Sequence, residues 1–115
     1  MTISHVDSGP RMSQVVIHAG VVYLSGQVGA PGEDIATQTR AVLATIDRLL
    51  EQAGSDRGHL LQAVIWLADV ADFAAMNEVW EDWLKDVTPP ARATGGVTLA
   101  GPEYKVEILI TAAQK

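Results

Sequence analysis

Residues 104–112 read YKVEILITA, and the fold turns on what these residues do with their two faces. In an extended strand successive side chains point to opposite sides. Val106, Ile108 and Ile110 then face one way, and Lys105, Glu107, Leu109 and Thr111 the other. Both sets carry aliphatic residues, so this strand is expected to be buried on both sides. One side would pack on helices and the other on a second subunit. The expectation is an obligate oligomer, whose interface is a natural place for a pocket.

Upstream, residues 14–28, QVVIHAGVVYLSGQV, form two apolar runs split by Ala19-Gly20, a β-hairpin with Gly20 in the turn. The loop GAPGED follows, with Asp34 placed to cap a helix. From Ile35, the positions Val42, Leu43, Ile46, Leu49, Leu50 and Ala53 recur at helical spacing, and Gly54 is the expected stop. LLQAVIWLADV, with its β-branched and aromatic members, reads as a buried strand. Phe73, Met76, Val79, Trp80, Trp83 and Leu84 make one stripe of a second helix, which must end before Pro89-Pro90. Two closing strands are predicted, roughly Ala93–Leu99 and Tyr104–Ala112, with a turn at Gly101-Pro102. The order β-β-α-β-α-β-β predicts an α+β domain over residues 1–115, with both helices on one face of a mixed sheet.

Composition narrows the function classes. With 48% hydrophobic and 19% charged residues the chain is globular, and at 115 residues oligomerisation would complete its core. A net charge of −6 opposes a nucleic-acid partner, which needs a basic face. No cysteine is present, which removes disulfides, thiolate metal sites and thiol nucleophiles. MTISHVDSGP is not a secretory signal, and no apolar run reaches the roughly 18 residues of a membrane helix, so no membrane partner and a cytoplasmic location are expected.

Two residues stand out chemically. Arg92, in TPPARATGG, is the sole cation between Lys85 and Lys105, and Pro89-Pro90 stiffen its approach. A guanidinium stays charged, so it serves either as a clamp for a small carboxylate or phosphate or as half of a structural ion pair. Glu107 interrupts an apolar strand. It is either a general acid or base in a low-dielectric pocket or a surface partner of Lys105 on the same strand face. His5, His18 and His59 have no ligand spacing, so no metal site is expected. Ser25 without a readable base is a strand-end hydroxyl, and Trp66, Trp80 and Trp83 belong to core or interface.

Taken together, SQVVIHAGVVYLSGQV, TQTRAVLATIDRLLEQAGS, DVADFAAMNEVWEDWL and PPARAT followed by YKVEI resemble the RidA/YjgF family of enamine/imine deaminases, also called the endoribonuclease L-PSP family. The resemblance runs in order over nearly the whole chain from about Ser8. It implies a chorismate-mutase-like fold, a homotrimer with sites in clefts between subunits, and no cofactor. The implied reaction is hydrolysis of a 2-aminoacrylate-type enamine or imine to a 2-oxo acid and ammonia. By the same resemblance Arg92 binds the substrate carboxylate and Glu107 orients water. Ser25, Gly26 and Gln27 line the pocket, with Asn77 near it.

Departures from the family pattern locate where this member differs. Ala93 and Thr94 replace a common serine and a frequent cysteine, leaving Thr94 to offer a hydroxyl to the ligand. Gly95-Gly96 replaces bulkier residues, which would loosen the strand or widen the pocket. Met12 stands where the family carries a tyrosine, and Arg11 is inserted before it, a candidate second contact for the anion of a dicarboxylate-derived imine. The competing classes are a non-catalytic trimer that binds 2-oxo acids as a sensor or partner protein, a ribonuclease, which the acidic composition opposes, and a purely structural trimer.

Overall fold

A computed structural model describes residues 2–115. Its strands are β1 (Ile3–Ser8), β2 (Ser13–His18), β3 (Val21–Leu24), β4 (Leu60–Leu67), β5 (Ala91–Gly96) and β6 (Val106–Ala113). The helices are α1 (Ile35–Gln52) and α2 (Phe73–Trp83). Six strands form one sheet in the order β1-β2-β3-β6-β4-β5. Every pairing is antiparallel except β4 with β5, which are parallel and joined through α2. The strand quoted first, β6, is central, between β3 and β4.

The faces of β6 divide as its sequence predicts, but only one is buried in the single chain: Val106, Ile108, Ile110 and Ala112 are buried, Glu107 and Thr111 half-buried and Leu109 exposed. The buried set meets Leu67, Ile65 and Ala63 of β4 in register, and this face packs under the helices. From α1 come Val42, Leu43, Ile46, Leu49 and Leu50, and from α2 Met76, Trp80 and Trp83. Each fully buried Leu or Ile contributes about 1.5–3 kcal/mol of transfer free energy.

The ends of α1 are set by local chemistry. The Asp34 carboxylate accepts a 2.8 Å hydrogen bond from the Thr37 N–H. At the other end Gly54 has φ +75°, its N–H bonds Glu51 O, and the Ser55 N–H bonds Leu50 O. That pair of bonds closes the last turn, and only the left-handed glycine permits it without strain. Within α1, Gln38 is fully buried. Its Nε2 donates to the Glu33 and Glu103 carbonyls, and its Oε1 accepts from the Lys105 N–H. One amide thereby fixes the loop into α1 and the approach to β6.

Four expectations need correction. Residues 3–8 form an additional edge strand, making the order β-β-β-α-β-α-β-β. ISHVDS has no apolar stripe, because an edge strand beyond the helices buries little; only Val6 is half-buried. The strand expected at Ala93–Leu99 lies at Ala91–Gly96, and the one expected at Tyr104–Ala112 lies at Val106–Ala113. LLQAVIWL is not buried on both sides: Ala63, Ile65 and Leu67 are buried while Leu61, Gln62 and Trp66 are exposed. The hairpin turn stands at Ala19-Gly20 as expected, with both Gly20 (φ 78°) and Ala19 (φ 52°) in the left-handed region.

Candidate functional site

Arg92 lies in β5 opposite Ala63, and Thr94 lies opposite Ile65. Ala63 and Ile65 belong to the helix-covered face, so Arg92 and Thr94 point toward α2. There Phe73, Asn77 and Trp80, spaced four and three residues apart, share one helix side. The Arg92 Nη1 donates a 2.8 Å hydrogen bond to Asn77 Oδ1. The Cζ atom of Arg92 is 5.8 Å from the Phe73 ring centroid and 5.8 Å from that of Trp80. Aromatic faces attract a guanidinium at this range. No carboxylate lies within 4.0 Å of Arg92 among the described residues, so the structural ion pair considered from sequence is absent. The cation is aimed by neutral groups, and among the described residues the rest of its donor edge has no partner.

Phe73 begins the α2 stripe but is 46% exposed, and its ring sits beside Arg92 at the start of the helix. Thr94 Oγ1 is sealed from solvent without a hydrogen-bond partner. A buried hydroxyl left so costs about 1–3 kcal/mol.

Glu107 occupies the other side of the sheet, opposite Trp66 of β4. It makes no salt bridge with Lys105 among the described residues. The chain after β3 runs beside it, since Gln27 N and O bond Ile108 O and N at 2.9 and 3.0 Å. Gly26 is thus pressed against the Glu107 carboxylate, and a Cβ there would overlap Oε2. This contact is the physical reason for glycine in SGQ. Beside it Ser25 Oγ donates to Gln14 Oε1 at 2.9 Å, and Gln27 Nε2 donates to the same oxygen at 2.8 Å. Gln27 is 7% exposed, and Gln14 is the acceptor that holds the strand end together.

The candidates therefore fall into two groups. Arg92, Asn77 and Thr94 are on the helix side; Glu107, Gly26 and Ser25 are on the open side. One strand, β4, separates β5 from β6, and strands lie about 4.8 Å apart. Arg11 and Met12 are exposed in the β1–β2 connection and line a concavity of about 420 Å³ with Asp7, Ser8, Gly9, Pro10 and Gln14. Gly95 and Gly96 do not open a gap: a Cβ on Gly95 would stand 3.3 Å from the Trp66 ring, and one on Gly96 2.7 Å from Val70 Cγ1. Neighbouring side chains take up the room that the glycines leave.

Sequence reasoning passed over Gln14, Phe73 and Trp80 as site components. Glutamine carries no signal for a hub, and the aromatics fitted a core stripe equally well. A separate concavity of about 340 Å³ between the helices contains none of the candidates. Its Arg57 is committed to Asp47 through two nitrogens and to the Trp83 carbonyl, a staple between α1 and α2. Among the described residues no group of three His, Asp or Glu side chains could hold a metal ion, and no helix is long and apolar enough to cross a membrane.

Against known proteins, the family model for endoribonuclease L-PSP matches residues 2–114. The RutC family protein YoaB of Escherichia coli K12 is 44% identical over 113 residues, covering 98% of this chain and 99% of that protein. A RutC family protein of Haemophilus influenzae is 42% identical over 114 residues, covering 97% and 98%. Among solved structures, a YjgF-family member from Neisseria meningitidis superposes with a TM-score of 0.97 at 47% identity, covering 100% of this chain and 97% of that one.

Proposed function

From the premise that this chain belongs to the RidA/YjgF (endoribonuclease L-PSP) family, we propose that it hydrolyses reactive 2-imino acids and their 2-aminoacrylate-type enamine tautomers to 2-oxo acids and ammonia. The observation that carries the reading is Arg92: a guanidinium fixed by Asn77 and two aromatic rings, with no acid partner and a free donor edge among the described residues. A small carboxylate satisfies that edge bidentately.

The working site is formed by two copies. Arg92 and Glu107 project from opposite faces of one sheet, so a substrate held by one chain's Arg92 meets the Glu107 of a neighbour. The open face, with Tyr23, Trp66 and Leu109 exposed, supplies the apolar surface for that contact. A closed ring of three such heterologous contacts is the homotrimer the family resemblance implies.

In this site Arg92 anchors the carboxylate and leaves C2 of the iminium facing Glu107. Glu107 accepts a proton from water as its oxygen bonds C2, giving a carbinolamine. The amine nitrogen then takes a proton from Glu107, the C–N bond breaks, and loss of the hydroxyl proton yields the 2-oxo acid and ammonium. Asn77 positions Arg92; Ser25, Gly26 and Met12 line the water side, and Thr94, whose hydroxyl is sealed in the single chain, lies beside Arg92 on the helix side of β5. Orientation and electrostatics supply most of the rate, because the imine is already labile, and the residues in these roles require no cofactor. The acidic composition makes RNA a poor partner.

The test is ammonia release from iminopyruvate generated in place by an amino-acid oxidase. Wild type should accelerate it. Arg92→Ala is expected to lose about 10–100-fold in kcat/KM from one charged contact, and Glu107→Ala about 10²–10⁴-fold from the acid–base role. Absence of acceleration across several amino-acid-derived imines, with 2-oxo acids still bound, would leave a non-catalytic binding protein.

A further inference from the structure

We infer that Arg11 and Gln14 form a second anion contact beside Glu107, so that the site takes dicarboxylic substrates: 2-imino acids, and product 2-oxo acids, with a carboxylate at each end. The inference rests on the reading of Glu107 as the reacting centre and names the substrate class of that site.

The hydrogen-bond network fixes which end of Gln14 is free. Gln27 Nε2 donates to the backbone carbonyl of Ser25 at 3.0 Å, which identifies it as nitrogen. The Gln14 atom 2.8 Å from it must then be the oxygen, and the same oxygen accepts from Ser25 Oγ. Both bonds engage the carbonyl end of Gln14, and its amide nitrogen has no hydrogen bond among the described residues. That residue shares the 420 Å³ concavity with Arg11. Arg11 is exposed and has no carboxylate within 4.0 Å among the described residues, although Asp7 lines the same concavity. Within the connection Ser8 Oγ pairs with Ser13 Oγ, and the Gly9 N–H donates to Met12 O.

The concavity thus offers one guanidinium and one amide as uncommitted donors, the complement of a carboxylate. It also adjoins the reacting side of the sheet. Gln14 bonds Ser25, Ser25 precedes Gly26, and Gly26 touches the Glu107 carboxylate. With Arg92 of the neighbouring copy holding the α-carboxylate, a ligand's far end reaches Arg11. Asp7 lines the same concavity and opposes a second anion, so removing its charge should strengthen the contact.

The test compares 2-oxoglutarate with 2-oxovalerate, equal in length but differing in a terminal carboxylate against a methyl, by calorimetric titration of the purified oligomer. Wild type should bind 2-oxoglutarate about tenfold more tightly. Arg11→Gln should abolish that preference while leaving 2-oxovalerate affinity unchanged; Arg11→Lys should restore part of it, and Asp7→Asn should raise it severalfold. Equal binding of both acids by wild type, or equal weakening of both in Arg11→Gln, overturns the inference. Failure of the parent reading has another signature: 2-oxovalerate affinity indifferent to Arg92→Gln. If 2-oxoglutarate alone binds and depends on Arg11 but not Arg92, the anion contact stands without the deaminase; binding of neither acid overturns both.

Discussion

The two faces of this sheet are built from the same strands and treat their apolar residues in opposite ways. Under the helices, Ile65, Leu67, Val106, Ile108 and Ile110 are at most 1% exposed. One residue along on β4 and β6, Trp66 and Leu109 are each 38% exposed, and Tyr23 of β3 is 47% exposed. A solvated sheet face normally alternates to polar residues. This one keeps Tyr23, Trp66 and Leu109 among its polar residues, apolar surface that the single chain leaves uncovered. The functional candidates divide along the same line: Arg92 is oriented by α2, while Glu107 shares its face with the uncovered residues. On the proposed reading, folding prepares two half-sites and association joins them.

The largest expected effect breaks or upholds that division directly. Arg92→Ala and Glu107→Ala subunits are each expected to be nearly inactive alone. If every site takes its arginine and its glutamate from different copies, co-refolding equal amounts regenerates intact pairs at about a quarter of the contacts, by random assembly around a closed ring. About a quarter of wild-type deaminase activity should therefore return. Activity no greater than the mean of the two variants would mean that both residues act from one chain.

The next effect contrasts adjacent residues of β6. Ile108→Ala removes a fully buried side chain under the helices and should cost about 2–5 kcal/mol in chemical denaturation at any protein concentration. Leu109→Ala, on the open face, should leave a dissociated chain folded but lower the melting temperature in a concentration-dependent way, because it weakens the association that stabilises the fold by mass action. Identical, concentration-independent losses for both variants would erase the distinction between the faces.

How much of this was legible depended on whether a feature is local. The helix α1 announced itself through Asp34, the apolar stripe and Gly54, because a cap, a period and a stop all lie within one segment. The alternation in β6 was equally plain, including the surplus of apolar residues facing away from the helices. The β1 strand left no mark, since an edge strand with one half-buried valine has no period to read. Gln38 and Gln14 were silent because glutamine is ordinarily a surface residue, and their roles appear only when distant backbone converges on them. The separation of Arg92 from Glu107 depends on the register of β5 against β4. A one-residue slip would have turned Arg92 to the open face, and neither sequence nor family resemblance specifies that choice.

The smallest expected effect confines itself to the helix layer. The hydrogen bond from the Thr37 N–H, helped by the Thr37 side chain, holds the Asp34 carboxyl below its ordinary value of about 3.8. A carboxyl whose pKa is lowered on folding adds stability above the unfolded value and loses it as pH falls through the folded one. Wild type should therefore exceed Asp34→Ala in stability at pH 7, and the gap should narrow steadily below about pH 4. Because the cap lies at the start of α1, away from Glu107 and the open face, the variant should keep wild-type kcat/KM and oligomeric state at neutral pH. A loss of assembly in Asp34→Ala would show that the helix layer reaches the second interface after all, and that the two faces are coupled rather than independent. A gap that stays constant down to pH 3 would instead place the contribution of Asp34 outside its charge.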